Sequence, residues 1–205
     1  MNRILVWDFP VRIGHWLLVG AFALAWLTSE SEAWRLVHVL AGGTVVGVVL
    51  FRLLWGVVGT RHARFASFVR GPGSALGYLK NLLAGRPAHT AGHNPAGGWA
   101  IVTLLALGLL TGASGWLTYN GSFASLGGEL FEELHEALAA TMLTVALLHV
   151  AGVVVGSLAH RENLVRAMLT GRKLGEPAEA IGAARLWAVP LLLGWVAACA
   201  WWLAR

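Results

Sequence analysis

The sequence predicts an all-α integral membrane protein, a bundle of four transmembrane helices followed by a fifth, C-terminal transmembrane helix. Of its 205 residues, 57% are hydrophobic and 12% are charged, whereas soluble proteins have about 45–50% apolar and about 25% charged residues. Five stretches approach the roughly 20 mostly apolar residues that a membrane-spanning helix needs. They are residues 11–28, 34–58, 98–118, 131–158 and 186–203. None shows the period-two alternation of a strand, so we expect helices, which satisfy their own backbone hydrogen bonds in lipid.

The charged residues predict which side of the membrane each loop faces. Residues 59–97, between the second and third spans, contain four arginines and one lysine, and residues 159–185 are also basic. The opposite side carries glutamates, with Glu30 and Glu32 after the first span and four more around the start of the fourth. Because basic loops remain in the cytoplasm, we expect a cytoplasmic N-terminus, a cytoplasmic loop at 59–97 and a C-terminus on the outer side of the membrane. Asn94 and Pro95 are expected to begin the third helix.

Four of the eight histidines lie inside the predicted spans: His15, His38, His135 and His149. Ionisable residues inside a membrane are costly and indicate functional sites, although a single buried histidine is more often a hydrogen-bonded core residue. The predicted topology places His15 and His149 towards the cytoplasm, as an inner pair, and His38 and His135 towards the outer side of the membrane, as an outer pair. His135 and His149 are fourteen residues apart, about 21 Å and four turns, so they share one helix face.

At each of the two depths, a pair of imidazoles from different helices predicts a bis-histidine site for one iron porphyrin. Haem iron needs two axial ligands from the protein, whereas zinc takes four protein ligands, or three and a water. The single cysteine, Cys199, excludes covalent haem attachment through a Cys-x-x-Cys-His segment. Small residues are expected beside a flat macrocycle, although glycines also tighten helix contacts in lipid. The candidates are Gly14, Gly20, Gly42, Gly43, Gly47, Gly108, Gly112, Gly152 and Gly156.

Two arginines are candidates for binding the anionic propionates of the inner haem. Arg52 follows His38 by fourteen residues, on nearly the same helix face and one leaflet deeper, and Arg12 precedes His15 by one turn. A guanidinium group suits carboxylates because its donors form a fork. The alternative is that both side chains simply extend to the membrane interface, as long cationic side chains do.

A polar cluster at the inner end of the fourth helix is a candidate site for a quinone headgroup, which it would bind through hydrogen bonds and supply with protons. The cluster consists of His160, Arg161, Glu162 and Asn163. A plain helix-ending loop is the alternative. The remaining histidines, His62, His89 and His93, lie in the basic loop and are expected at the surface.

Several segments together resemble the prokaryotic cytochrome b561 family, which belongs with the b-type cytochrome subunits of nickel–iron hydrogenases. They are WDFPVRIGHW, FRLLWGVVGTRHARF, GHNPAGG, ELHE, LHVAG and HRENLVRAMLTGRK, spread over residues 7–173. The resemblance implies four core helices, two haems b bound by the two histidine pairs, and quinone-linked electron transfer across the bacterial inner membrane. We therefore expect a dihaem cytochrome b domain at 1–173 and, at 174–205, a linker and an additional helix without a ligand.

The leading hypothesis is a dihaem carrier between the quinone pool and a periplasmic redox partner, either a c-type cytochrome or a redox-enzyme subunit. One alternative resembles superoxide oxidase, which reduces ubiquinone, but acidic outer loops do not favour an anionic substrate. A histidine-based metal transporter is a second alternative, against which the two-layer pairing and the shortage of Met and Cys argue, and a structural anchor is a third. Membrane lipid, quinone and the redox partner are the expected partners, without nucleic acid, and both a homo-oligomer and an enzymatic activity are left open.

Overall fold

Helices dominate the described part of the chain, and two short strands complete it. The computed structural model describes residues 2–86, 88–121 and 124–205, and for 124–128 the backbone alone. In chain order the elements are β1 (Asn2–Leu5), α1 (Phe9–Thr28), α2 (Arg35–Val58), α3 (Phe65–Phe68), α4 (Pro72–Leu83), α5 (Pro95–Tyr119), α6 (Ala124–His160), α7 (Leu164–Thr170), β2 (Arg172–Gly175) and α8 (Ala188–Leu203).

Four of the described helices are long and apolar enough to cross a membrane, which confirms the four predicted core spans. α1 has 20 residues, α2 has 24 and α5 has 25, so each reaches the roughly 30 Å of a bilayer's hydrocarbon core. α6 is longer, with 37 residues. The fifth predicted span also forms a helix, α8, but its 16 residues extend only about 24 Å. A fifth membrane crossing is therefore not confirmed.

Capping side chains fix the starts of α1 and α5. Asp8 Oδ1 accepts a hydrogen bond from Val11 N at 2.9 Å, and Asn94 Oδ1 accepts one from Gly97 N at 2.7 Å. A proline follows in the first turn of each helix, where a missing N–H breaks no intrahelical bond. The predicted start of the third span at Asn94 is confirmed, and α1 begins two residues before its predicted span.

The long helices pack in the order α1, α2, α5, α6. α1 packs along α2, α2 along α5 and α5 along α6, while α8 lies along α2 and also contacts α1. Among the described residues, the backbone of α6 stays apart from those of α1 and α2 over nearly its whole length. Between α6 and the first two helices the backbones are therefore separated, and side chains such as Met142 and Val49 pack in the space between them.

Two glycines of α2 form the contact with α8. A Cβ atom at Gly43 would lie 2.8 Å from Ala200 Cα, and one at Gly47 would lie 3.0 Å from Val196 Cα. Small residues four apart allow such close helix approach in membranes, and Trp195 Nε1 also donates to the carbonyl of Gly47 at 3.1 Å. The expectation that these two glycines border a flat cofactor is wrong, because the α8 backbone occupies the space beside them.

The other predicted glycines fall into two groups. Those that would meet a neighbouring side chain are Gly14, Gly108, Gly112 and Gly156. Those with nothing within 4 Å of an added Cβ atom are Gly20, Gly42 and Gly152. The first group serves packing between elements, whereas the second group has the open surroundings expected at the edge of a cofactor space.

The N-terminal strand forms an antiparallel pair with the strand after α7, which the sequence did not predict. Asn2 lies opposite Gly175, and Leu5 opposite Arg172. Ile181 N further donates to the carbonyl of Leu5 at 2.9 Å. The pairing joins the first residues of the chain to both sides of the predicted boundary at 173, and the two-part division stays a prediction.

A fully buried carboxylate joins the start of α1 to the end of α2. Asp8 has no exposed surface, and its Oδ2 accepts hydrogen bonds from Trp55 Nε1 at 3.0 Å and Thr60 Oγ1 at 2.6 Å. Together with the α1 cap, these bonds offset the cost of removing the carboxylate from water. The network fixes the helix ends that carry His15 and Arg52.

Candidate functional site

The outer pair has the spacing of two ligands of one metal ion. His38 of α2 and His135 of α6 face each other with ring centres 6.0 Å apart and ring planes at 77°. Two imidazoles on opposite sides of one metal ion, each with a metal–nitrogen bond of about 2 Å, have ring centres about 6 Å apart. The spacing of the two rings therefore fits one ion between them.

Backbone carbonyls determine which ring nitrogen of each outer histidine carries the hydrogen. His38 Nδ1 lies 2.8 Å from the carbonyl oxygen of Ala25, and His135 Nδ1 lies 2.9 Å from that of Thr111. A carbonyl oxygen only accepts hydrogen bonds, so in each ring Nδ1 carries the hydrogen and donates it. The lone pair of each Nε2 is then available to a metal, the arrangement usual for metal-binding histidines.

Small residues of α5 make room for the His135 ring. A Cβ atom at Gly115 would lie 2.7 Å from His135 Cε1, so a larger residue there would displace the imidazole. Ser114 is buried, and its Oγ lies 3.4 Å from His135 Nδ1. Sequence reasoning did not single out these residues, although the run TGASG at 111–115 in an uncharged span is the signal that indicates them.

The described residues make fewer hydrogen bonds to the inner pair than to the outer pair. His15 of α1 and His149 of α6 are close enough to interact electrostatically, and the His15 ring lies edge-on to Trp16 with ring centres 5.0 Å apart. His15 Nδ1 is shielded from solvent and has no hydrogen-bond partner among the described residues. Within the same part of the chain, no group of three or more His, Cys, Asp or Glu side chains could hold a metal ion.

Arg52 lies at the inner end of α2 with its terminal nitrogens free. Nη1 and Nη2 are both shielded from solvent and lack a partner in the described chain, while Cζ lies 4.9 Å from the ring centre of Phe65. Buried guanidinium nitrogens without acceptors are costly. This arrangement fits an anionic group that is held at the inner end of the bundle.

Arg12 is tied to a different element. One of its terminal nitrogens donates to the carbonyl of Leu169 at the end of α7, and Cζ lies 4.7 Å from the ring centre of Phe9. Its Nε is buried without a partner among the described residues. Arg12 lines a cleft between α1 and α7, and its role towards a propionate stays a prediction.

His62 and His93 are not surface residues, which corrects the expectation for the basic loop. His62 is only 8% exposed, and its Nε2 lies 2.7 Å from the carbonyl of Glu179. His93 lies between Trp7 and Phe68, with ring centres 4.4 and 4.6 Å away. The sequence placed both in a polar loop, but the loop folds back over the inner end of the bundle.

The surroundings of His93 disfavour the charged form of its ring. Burial, followed by the nearby positive charges of Arg52 and Lys173, lowers the pKa of His93 well below its usual value. Its Nδ1 is shielded from solvent and has no hydrogen-bond partner in the described chain. His93 thus adds a third buried nitrogen without a partner to the two of Arg52.

Two residues of the predicted quinone cluster make hydrogen bonds within the protein that stabilise the local structure. Glu162 Oε1 accepts a hydrogen bond from Leu174 N at 2.6 Å, and Asn163 caps α7. His160 Nε2 lies 3.2 Å from the hydroxyl of Tyr78 on α4, and Arg161 is exposed, with a left-handed φ of 50°. Quinone binding at these residues stays a prediction.

Comparison with protein families decides the class of protein. Residues 6–171 match the family described as prokaryotic cytochrome b561. The chain belongs to the prokaryotic cytochrome b561 family. It is a multi-pass membrane b-type cytochrome, so its cofactor is haem b and its chemistry is electron transfer. The family predicted from the sequence motifs is confirmed.

This cytochrome is also similar to proteins named as hydrogenase subunits. The probable Ni/Fe-hydrogenase B-type cytochrome subunit of Rhodobacter capsulatus is 26% identical over 217 aligned positions, which cover 84% of this chain and 82% of that protein. The probable Ni/Fe-hydrogenase 1 B-type cytochrome subunit of Escherichia coli (strain K12) is 28% identical over 142 positions, covering 56% of this chain and 60% of the relative. No solved structure matches the chain.

Proposed function

We propose that this cytochrome binds two haems b, one at each histidine pair, and transfers electrons between the quinone pool and a redox partner at its outer face. In this proposal it spans the bacterial inner membrane with the N-terminus in the cytoplasm, and α8 forms a fifth crossing that ends in the periplasm. The basic loop at 59–97 supports this orientation.

The outer pair carries the proposal. Its ring spacing of 6.0 Å and the two carbonyl-bound Nδ1 atoms fit a site in which His38 and His135 would together hold one haem iron. The carbonyl hydrogen bonds orient the rings and increase the basicity of each Nε2. Gly42, one turn after His38 on α2, has open surroundings that suit the edge of a porphyrin.

The residues of the inner end fit a second haem. His15 and His149 come from helices whose backbones stay apart, so a flat disc can lie between them. The free nitrogens of Arg52 fit a propionate. Haem b supplies a one-electron iron couple, while these side chains bind it, orient it and exclude water from it.

The exposed acidic residues of the outer end support docking of a partner protein there. Glu132, Glu133 and Glu136 are exposed beside His135 at the start of the α6 span. A negative surface steers a basic partner by long-range attraction, which salt weakens. Since the relatives are named as hydrogenase subunits, a subunit of a redox enzyme is the favoured partner over a c-type cytochrome.

Purified protein tests the proposal directly. We expect about two haems b per chain by pyridine haemochrome assay, low-spin bis-histidine spectra and reduction of the haem by added quinol. A single haem per chain, or a colourless preparation, would contradict the two-site arrangement. Two haems that quinol cannot reduce would leave the cofactors in place and overturn the link to the quinone pool.

A further inference from the structure

His93 and Arg52 converge on one place at the inner end of the bundle. The His93 ring centre lies 4.6 Å from that of Phe68, and Arg52 Cζ lies 5.9 Å from the same ring. The two side chains also interact electrostatically with each other, and His93 does so with His149. A loop residue and two helices are thus brought together beside the inner pair.

Three buried nitrogens at this place lack a hydrogen-bond partner among the described residues. They are Nη1 and Nη2 of Arg52 and Nδ1 of His93. Buried polar atoms are almost always hydrogen-bonded, and exceptions need an explanation. Asp8 interacts electrostatically with Arg52, but its oxygens already accept hydrogen bonds from Val11, Trp55 and Thr60, and it makes no ion pair with Arg52 in the described chain.

A carboxylate matches this donor set. It carries two oxygens with about four lone-pair sites, so it can accept from a guanidinium fork and also from His93 in the tautomer that carries its hydrogen on Nδ1. Phe65 and Phe68 enclose the guanidinium, and the Trp7 ring covers His93. In such surroundings, with little water, hydrogen bonds to a charged group are strong.

A buried lysine holds the loop that carries His93. Lys173 of β2 is 7% exposed, and its Nζ donates to the carbonyls of Thr90 at 3.0 Å and Gly92 at 3.2 Å. The strand pair of β1 and β2 therefore positions the segment at 90–93. Lys173 acts on the site through this loop, as a positioning residue.

We propose that His93 and Arg52 together form the carboxylate-binding site for a propionate of the inner haem, with Lys173 positioning the loop. This inference rests on the proposed function, since it needs a haem at the inner pair. It adds a loop residue to a site otherwise built from transmembrane helices, so the cytoplasmic loop controls how firmly the inner haem is held.

The test measures how fast each haem leaves the purified holoprotein for excess apomyoglobin. The variant His93→Phe keeps an aromatic ring between Trp7 and Phe68 but removes the ring nitrogens. We expect inner haem to leave about tenfold faster or more, the factor associated with one hydrogen bond to a charged group, while loss of the outer haem is unchanged. The matched control is His89→Phe, an exposed histidine in the same loop, which should behave like wild type.

Two further variants keep the test decisive if His93→Phe does not accumulate. His93→Gln retains an N–H donor and should lose inner haem at a rate between those of wild type and His93→Phe. Lys173→Met keeps the His93 side chain but removes the two hydrogen bonds that hold its loop. It should therefore also accelerate inner-haem loss. Resonance Raman bands of the propionates should shift in His93→Gln and not in His89→Phe.

The outcomes separate this inference from the proposed function. Wild-type loss rates in every His93 variant that folds and in Lys173→Met would overturn the carboxylate site while leaving two haems bound. Equal acceleration of both haems would also overturn it, because the effect would then be general. Wild-type protein without an inner haem would instead refute the dihaem proposal itself.

Discussion

The outer and inner pairs differ in how far the protein completes their surroundings. At the outer pair each Nδ1 donates to a backbone carbonyl within 2.9 Å, so both rings are oriented by the fold. At the inner pair His15 Nδ1 has no partner in the described chain, and Arg52 and His93 add further free nitrogens. The outer pair is therefore preorganised by protein groups, whereas the inner pair depends on what it binds.

The largest effect should come from removing one ligand of each pair. His149→Ala should reduce the haem content from about two to about one per chain with the outer haem retained, and His135→Ala should do the reverse, because each iron needs both axial ligands. Pyridine haemochrome assays and redox titrations identify the remaining haem. Loss of both haems from a variant that remains folded would show that the two pairs are not independent.

A second large effect is expected at the inner end from Asp8→Ala. The substitution leaves three donors without their acceptor, so the free energy of unfolding should fall by about 3 kcal/mol. Unfolding in mixed detergent and SDS measures this change. Because the network lies beside the inner pair, inner haem should be released at a lower temperature than outer haem. Simultaneous release of both haems would argue against this difference between the inner and outer pairs.

Substitutions of two adjacent glycines on α2 distinguish a role in helix packing from a role in leaving room for a cofactor. In Gly43→Leu the new side chain meets the α8 backbone, so the protein should lose about 1–3 kcal/mol of stability while both haems stay bound. In Gly42→Leu the side chain enters open space near His38, so the outer haem content should fall while the contact with α8 remains. Similar behaviour of the two variants would argue that Gly42 does not border a haem.

Arg52→Gln should change the inner haem alone. Loss of a buried positive charge destabilises the reduced iron relative to the oxidised iron, so the inner midpoint potential should fall. A tenfold change in the equilibrium corresponds to about 59 mV for one electron, and we expect a shift of this order. Potentiometric titration measures both haems, and the unchanged outer potential is the internal control.

The smallest effect is expected from Ser114→Ala at the outer pair. Ser114 Oγ is 3.4 Å from His135 Nδ1, whereas the carbonyl of Thr111 is at 2.9 Å. The backbone acceptor survives the substitution, so the outer potential should shift by less than about 30 mV, a threefold change. A larger shift would show that the hydroxyl, and not the carbonyl, orients this ring.

Local patterns were enough for the four membrane helices, and they predicted the depths of the four intramembrane histidines. The Asn94 cap and the apolar runs are features of consecutive residues, and helical rise converts residue number into depth. The same reasoning failed for His62 and His93, since polar neighbours in the chain do not reveal that a loop folds back under Trp7 and Phe68.

By itself the sequence determined four membrane-spanning helices and predicted ionisable side chains at two levels, because hydrophobic length and helical period act along the chain. Only the tertiary structure decided which backbone carbonyls orient His38 and His135 and which glycines of α2 pack against α8. It also decided that β1 pairs with β2. Each of these depends on which helix faces meet across the bundle. That choice is made by the packing of residues distant in the chain, which no local pattern encodes.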